Sequence, residues 1–200
     1  METDKALKQK ADSGSADAIF RLGYRLAFGR GRKRNWRSVS KLWERAAKAD
    51  HTRAQFYLGT CFEHGRGVRI DLLIAMQWYG KAARSGHAEA QYNLALGYRD
   101  GEGVSQNRKR YLYWLRKAAK SGEPGAWLDL GYCYHEGYGV KKDLTRAAEM
   151  YRKASMEGES KAQRNLAFCY LNGEGVPKSR RLSARWLKLS YQKTQRNRSD

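Results

Sequence analysis

A period of 36 residues runs through most of this sequence, and it restricts the folds that the chain can adopt more than any other feature. Alanine, leucine and glycine recur at fixed places in five successive segments. The alanine column consists of Ala18, Ala54, Ala90, Ala126 and Ala162, and the leucine column of Leu22, Leu58, Leu94, Leu130 and Leu166. The two glycine columns consist of Gly29, Gly65, Gly101, Gly137 and Gly173, and of Gly31, Gly67, Gly103, Gly139 and Gly175. Strict repetition at this length predicts a stacked array of small structural units rather than one globular core.

Each segment has the pattern of two helices, which we call helix A and helix B. Apolar or small residues stand at offsets 0, 4, 5 and 8 from the alanine, on one face of helix A. The Gly-x-Gly sequence then ends helix A, because glycine readily takes the positive φ that reverses the chain. Helix B follows, and its side chains expected to bond the free first-turn amides as N-caps are Asp71, Asn107, Asp143 and Ser179.

The first residues of the chain obey the same register. Ala11 and Gly14 fall on the alanine and glycine columns that end helix B, so a truncated helix B is expected at about 4–12. Such a half-repeat would cap the amino end of the array. We therefore predict a single solenoid over residues 1–191, followed by a basic, polar and flexible tail at 192–200. The predicted repeats span about 16–51, 52–87, 88–123, 124–159 and 160–191.

The motif Ala-x-x-x-Leu-Gly-x-x-Tyr, followed by Gly-x-Gly-Val and Trp-x-x-x-Ala-Ala-x-x-Gly, resembles the Sel1-like repeat, a relative of the tetratricopeptide repeat. The resemblance covers residues 18 to about 191. It departs from the pattern in the first unit, where Arg32 replaces the valine, and in the fifth, where Ser190 and Tyr191 replace the two alanines. It implies an all-α, right-handed α/α solenoid of five repeats that binds proteins, in signalling, quality control, host interaction or the neutralisation of bacterial toxins.

The chain is strongly basic, with a net charge of +20 from 40 Lys and Arg against 20 Asp and Glu. Such a field attracts acidic partners. Many of the cations fall in the loops between helix A and helix B, which stacking would bring together along one side, here called the basic edge. Its candidate binding residues are Arg32, Lys33, Arg34, Arg37, Arg69, Arg108, Lys109, Arg110, Lys141, Lys142, Lys178, Arg180 and Arg181. A solvated edge that only maintains solubility is the alternative interpretation.

A second candidate surface is the concave groove that stacked helices A would line. Offsets 3, 7 and 10 of helix A are not needed for the apolar face and are expected to point into this groove. The candidate groove residues are Arg21, Arg25, Tyr57, His64, Asn93, Asp129, Trp127, Tyr132 and Asn165. Trp127 interrupts a column of glutamines, and two interpretations of it stay open: an interface anchor, or a side chain that packs between adjacent helices.

Catalysis and cofactor binding are not expected. The Gly-x-Gly-Val sequences end helices and recur, whereas a nucleotide-binding loop opens a helix after a strand. The four histidines and three cysteines do not have metal-ligand spacing, so no metal or cofactor is predicted, and the odd number of cysteines favours reduced thiols. The polar amino terminus leads into no apolar segment, which indicates a cytoplasmic protein without membrane contact, and a monomer is favoured.

Two functions remain from these observations. The first is a protein-binding scaffold or adaptor that recognises an acidic partner, of which an immunity protein that neutralises a cognate toxin is a special case. The second is a nucleic-acid-binding module whose basic edge contacts phosphates without reading sequence. A repeat code for RNA bases would need the same side chains in each unit, and the groove columns are irregular.

Overall fold

The computed structural model describes residues 3–29 and 35–196, and the regular structure in this part of the chain consists of eleven α-helices. Their bounds are α1 Asp4–Asp12, α2 Ala16–Phe28, α3 Trp36–Lys48, α4 Thr52–His64, α5 Leu72–Arg84, α6 Ala88–Asp100, α7 Arg108–Lys120, α8 Pro124–Glu136, α9 Leu144–Met156, α10 Ser160–Asn172 and α11 Arg180–Arg196. The even-numbered helices are the helices A of the five repeats, and the odd-numbered helices from α3 onward are the helices B.

The helices keep the period of the sequence. Each helix A has 13 residues and begins 36 residues after the previous one, at the first residue of each predicted repeat. Helix α1 occupies the predicted capping position, and its Leu7 and Ala11 are buried in the same core cluster as α2 and α3. Helix α11 continues to Arg196, so residues 192–196 of the tail predicted at 192–200 are helical, and 197–200 lie outside the described residues. An all-α fold of helix-turn-helix repeats with a half-repeat cap is confirmed.

The chain divides into two compact units, Met1–Tyr111 and Leu112–Asp200, with the boundary inside α7. In the first unit, each helix from α1 to α6 packs against the next in sequence. In the second unit, α8 packs on α9, α9 on α10 and α10 on α11. Each unit therefore buries its apolar faces between helices that are neighbours in the chain.

The predicted N-caps of helix B are confirmed. The backbone amides of Ile74, Arg110, Arg146 and Leu182 donate to the predicted side chains over distances of 2.9, 3.0, 2.9 and 3.3 Å. The first repeat uses Asn35 in the same way, with a distance of 3.1 Å to the amide of Ser38. Capping oxygens at one position of the repeat thus fix where each helix B begins.

Helices A have a different set of caps, which the sequence pattern did not identify. The capping residues are Ser15, His51, His87, Glu123 and Glu159. At His87, the unprotonated Nδ1 accepts from the amide of Ala90, and the ring stacks on Phe56 with centroids 4.5 Å apart. His51 has the same arrangement with Ala54 and Phe20. Because Nδ1 must be free of a proton to accept, the cap at His87 requires a neutral imidazole.

Acidification should therefore lower the stability of the first unit, because a protonated His87 cannot cap its helix. Burial holds the pKa of His87 below its ordinary value, although the carboxylate of Glu89 acts in the opposite direction. The unfolded chain consequently binds a proton at higher pH than the folded chain does. The stability contributed by neutral His87 is complete above the ordinary pKa of about 6.5 and is lost as the pH falls through that value toward the folded-state pKa.

Urea unfolding of the wild type and of His87→Asn measures this effect, because asparagine is an N-cap that does not titrate. Between about pH 7.5 and about pH 5.5, the unfolding free energy of the wild type should fall relative to that of the variant. The wild type has to be compared with the variant because His135 also titrates in this range. The hydrogen bond to Glu174 is the main cause that raises the pKa of His135, so the stability that His135 contributes is greater at low pH, opposite to that of His87. A difference independent of pH would contradict a neutral cap at His87.

From the second repeat onward, the two glycines of the Gly-x-Gly sequence have separate roles, whereas Gly29 of the first repeat ends α2 with a φ of −64°. Gly101 has φ +80° and ends α6. Gly103 has φ +68° and lies against the backbone of the preceding repeat, where an added Cβ would overlap the carbonyl oxygen of Leu72 at the start of α5. Gly67 approaches Trp36 in the same way, and Gly175 approaches Leu144. The loop after helix A therefore docks on the first turn of helix B in the repeat before it.

Within a repeat, glycine in helix A makes room for an aromatic ring of helix B. A Cβ at Gly59 would lie 2.6 Å from Cε1 of Tyr79, and one at Gly131 would lie 2.5 Å from the ring of Tyr151. Tyr79 is fully buried, and its hydroxyl donates to Oε2 of Glu63 over 2.7 Å. The tryptophan column one residue earlier, which includes Trp78, is only half-buried. The column of Tyr79 therefore supplies the bulk that fills the core, and Trp78 packs at the margin of the core.

Candidate partner-binding surfaces

The structure separates the columns of helix A that are exposed from those that are buried. Offset 7 was expected to face the groove, and this was wrong: Cys61 and Cys133 have no exposed surface, and Cys169 is 2% exposed. These small side chains pack against helix B. Offset 6 is exposed where it carries an aromatic ring, at Tyr24, Tyr132 and Phe168, and is half-buried in the other two repeats. Of these rings, only Tyr132 was among the predicted groove residues.

Burial also makes the cysteines poor nucleophiles. It raises the pKa of the Cys61 thiol to about 12 and that of Cys169 to about 11, so neither forms appreciable thiolate at neutral pH. Their place in the repeat is that of small apolar core residues.

The predicted groove asparagines have structural partners. Asn165 and Asn93 lie next to the hydroxyls of the buried tyrosines Tyr151 and Tyr79, and these hydrogen bonds moderate the rise in the tyrosine pKa values that burial causes. Asn165 is half-buried and still lines the groove of the second unit. Both asparagines thus anchor helix A to helix B, and Asn165 also presents surface to a ligand.

In the first unit, the predicted groove residue Tyr57 belongs to an aromatic cluster. Tyr57 is half-buried and packs on Trp43 with centroids 4.9 Å apart. The guanidinium of Arg53 stands over Phe20 at 5.0 Å. Arg21 is exposed and lies 3.6 Å from the carboxylate of Asp17. The remaining predicted residues here are Arg25, which is half-buried, and His64, which is exposed and 3.5 Å from Glu63.

In the second unit, helices α8 and α10 line a groove that divides into two compartments. The acidic compartment has a volume of about 330 Å³ and contains His135, Glu136 and Glu174. The imidazole is held between the two carboxylates, with Nδ1 2.7 Å from Glu136 and Nε2 2.9 Å from Glu174. The His135 hydrogen bond lowers the pKa of Glu174, so this carboxylate stays ionised at neutral pH. Two carboxylates against one imidazole leave the compartment negative.

The basic compartment adjoins the acidic one and has a volume of about 490 Å³. Lys161 and Arg164 contribute exposed cations from the first turns of α10, and Leu128 and Asp129 contribute from α8. Tyr132 is 54% exposed and Phe168 is 57% exposed, and both rings belong to the two compartments at once. Two cations against the carboxylate of Asp129 leave this compartment positive, so the exposed rings lie between ends of opposite charge.

The glutamine column that Trp127 interrupts is a packing column. Gln55, Gln91 and Gln163 are buried, and the Nε2 of each donates to a carbonyl near the end of the preceding helix B, over 3.3, 3.1 and 3.2 Å. Trp127 occupies the equivalent position and is half-buried, and it is not among the residues that line the two compartments. Its position therefore favours packing between helices over the role of an interface anchor.

The basic edge lies on the surface wherever it is described. Arg32, Lys33 and Arg34 fall outside the described residues. The remaining predicted edge residues are all exposed, namely Arg37, Arg69, Arg108, Lys109, Arg110, Lys141, Lys142, Lys178, Arg180 and Arg181. Arg110 is also bound locally, since its guanidinium donates to the hydroxyl of Tyr98 over 3.1 Å.

One part of the edge forms a concave site, which we call the edge pocket. It has a volume of about 430 Å³ and lies in the second unit, where Lys141 and Lys142 are joined by Arg116 and Arg146. Its acidic lining residue is Asp143, which lies 3.3 Å from Arg146. Four cations against one carboxylate give the pocket a positive potential that favours anionic groups.

The helices and their surfaces define a class of protein: an α/α solenoid of helix-turn-helix repeats whose helices A line grooves. The Sel1 repeat profile matches residues 16–38, 52–87, 88–123, 128–159 and 160–194. The chain belongs to the Sel1 repeat family, whose members are scaffolds that typically bind other proteins. Among the residues described, no helix has both the length and the apolarity needed to cross a membrane.

Solved structures agree with this assignment. A protective antigen of uropathogenic Escherichia coli is 35% identical with a TM-score of 0.89, over 96% of this chain and 41% of the antigen. A Sel1 repeat protein of Oxalobacter formigenes is 33% identical with a TM-score of 0.83, over 96% of this chain and 74% of that one. An immunity protein of Pseudomonas aeruginosa shares the fold at 23% identity and a TM-score of 0.56, over 88% of this chain and 64% of that one. No curated protein matches the chain.

Proposed function

We propose that this protein is a non-catalytic scaffold that binds an acidic partner protein through the grooves of its helices A and through its basic edge. The observation that carries the proposal is the edge pocket, where Lys141, Lys142, Arg116 and Arg146 face a common concavity. Complementary charge of this kind accelerates association and selects among partners. The exposed rings of Tyr132 and Phe168 add apolar contact area of the type that dominates binding energy.

A narrower form of the proposal is that the partner is a toxin and that this protein neutralises it. The net charge of +20 suits tight binding to an acidic effector. The Sel1 fold supports the scaffold, and an immunity protein of Pseudomonas aeruginosa has that fold. Under this proposal the protein acts in the cytoplasm as a monomer that takes up one partner.

Affinity capture from the native cytosol at moderate salt, with and without nuclease, tests the proposal. We expect one acidic protein to be retained in equal amount after nuclease treatment. Loss of all bound material on nuclease treatment would show that the basic edge binds nucleic acid. In that case the affinity of the protein for its partner should fall steeply as the salt concentration rises.

A matched pair of variants shows whether the edge is responsible. Lys141→Glu/Lys142→Glu reverses two charges in the edge pocket, and Arg84→Glu/Lys120→Glu reverses two exposed charges at the ends of helices B. Both variants change the net charge equally. The first should weaken capture at least about tenfold and the second by less than about threefold, because local complementarity is expected to outweigh total charge. Equal losses would indicate that the edge acts only through the overall field of the protein.

A further inference from the structure

The two compartments of the second unit adjoin each other along helices α8 and α10 and have a defined polarity. Tyr132, Asn165 and Phe168 line both compartments, so a ligand in contact with these residues reaches the edge of each. The cations Lys161 and Arg164 stand near the amino end of α10, whereas Glu174 follows its carboxyl end. The charges and the rings therefore follow the axis of α10 in the order basic, aromatic, acidic.

The helix dipoles act in the same direction as these side chains. Helix α8 places Asp129 and Leu128 in the basic compartment and Glu136, its last residue, in the acidic one, so both helices run from the basic to the acidic compartment. The amino end of a helix carries partial positive charge and the carboxyl end partial negative charge. The backbone thus reinforces the gradient in potential along the groove.

The polar groups at the acidic end are held in place. Besides the two contacts of His135, the Nδ2 of Asn172 donates to Oε1 of Glu174 over 3.2 Å. These bonds link α8, α10 and the loop after α10. A ligand would therefore meet carboxylates in fixed positions, and little conformational freedom would be lost on binding.

We propose that this groove binds an extended segment of the partner in which an apolar side chain lies between a carboxylate and a lysine or arginine. The carboxylate would contact Lys161 and Arg164, the apolar side chain would lie against Tyr132 and Phe168, and the cation would contact Glu136 and Glu174. This inference rests on the proposed scaffold function and specifies the segment that the scaffold recognises. Charge complementarity at both ends and the exposed rings between them identify the occupant.

The length of the groove sets the spacing of the segment. With a rise of about 1.5 Å per residue, Asn172 lies about 12 Å along α10 from Arg164 and about 16 Å from Lys161. An extended chain covers about 3.3 Å per residue. The carboxylate and the cation of the segment should accordingly stand about four or five residues apart, with the apolar residue between them.

Selection from a displayed library of random peptides, using the full chain as the labelled target, tests this proposal. The matched target is Tyr132→Ser/Phe168→Ser, which removes two exposed rings and is checked for an unchanged melting temperature. The wild type should enrich peptides with the acid, apolar and basic order at the stated spacing, and the variant should not. Enrichment of the same peptides by both targets, or no enrichment by the wild type over the variant, would overturn the proposal.

A charge exchange then tests the orientation with one enriched peptide as the probe. Lys161→Glu/Arg164→Glu should weaken its binding at least about tenfold, and replacing the acidic residue of the peptide with lysine should restore binding to this variant. A variant that loses binding without recovery on the exchanged peptide would refute the assigned contacts.

The outcomes also separate this proposal from the scaffold function. If capture retains an acidic protein that Lys141→Glu/Lys142→Glu releases, while the library yields no peptide dependent on the rings, the scaffold function stands and the groove segment is refuted. If the library succeeds and capture retains only nucleic acid, the groove assignment stands and the acidic partner is refuted.

Discussion

Replacing Gly103 with alanine should lower the free energy of unfolding by about 2–5 kcal/mol. The left-handed conformation at φ +68° costs a residue with a Cβ about 1–2 kcal/mol. In addition, the Cβ would overlap the carbonyl of Leu72, and backbone atoms on both sides must move to relieve the overlap, at a further cost of about 1–3 kcal/mol. Urea unfolding followed by circular dichroism measures the change.

Gly101→Ala is the control, because it carries the cost of a positive φ but not the overlap with a neighbouring backbone. Gly101 has φ +80°, but the nearest atom to its Cβ would be Cβ of Gln106 at 3.6 Å, an ordinary contact. We expect this variant to lose only about 1–2 kcal/mol. Equal losses for the two variants would show that the docking of the loop on α5 contributes nothing beyond the backbone conformation.

Gly59→Ala should be destabilising by about 1–3 kcal/mol, although alanine is the better helix former by about 1 kcal/mol. The reason is the ring of Tyr79, which would lie 2.6 Å from the new Cβ and has no exposed surface toward which to move. Other repeats of this chain combine an alanine at the glycine position with a smaller residue at the tyrosine position. Where the third and fifth repeats carry Ala95 and Ala167 in this column, the tyrosine column carries Leu115 and Leu187.

A double-mutant cycle with Tyr79→Leu isolates this contact. Tyr79→Leu alone loses the hydrogen bond to Glu63 and leaves space above the glycine. The double variant should be more stable than the sum of the single effects predicts by at least about 1 kcal/mol. Additive effects would mean that the ring and the glycine do not restrict each other.

The helices could be predicted from the sequence because their limits depend on local chemistry. Asp71 and Asp143 cap helix B with their own carboxylates, and Gly65 and Gly173 end helix A by adopting positive φ. Five copies of the same signals then removed any ambiguity in the register. The caps His51 and His87 were missed because imidazole accepts a backbone bond only in one neutral tautomer, which a sequence pattern does not specify.

The groove was predicted less well, since helix A is covered by more than one neighbour. A single apolar stripe did not reveal that offset 7 is also buried, although its occupants Cys61, Cys133 and Cys169 are of a residue type that is usually buried. Of the aromatic rings at offset 6, which lie at the surface, only Tyr132 was predicted as a groove residue. A column that is aromatic in three of five repeats, Tyr24, Tyr132 and Phe168, was the signal that could have identified them.

The docking of Gly103 on the start of α5 also determines how an array of this kind can change in length. Gly103 covers the backbone of Leu72, and the two residues belong to different repeats. They are 31 positions apart in the chain. A deletion or duplication of 36 residues joins equivalent positions and restores this pairing wherever it falls in the repeat. A change that is not a multiple of 36 residues and falls between Leu72 and Gly103 separates this loop from its support. Recombination can therefore add or remove recognition surface only in whole steps, each of which brings one further helix A to the groove.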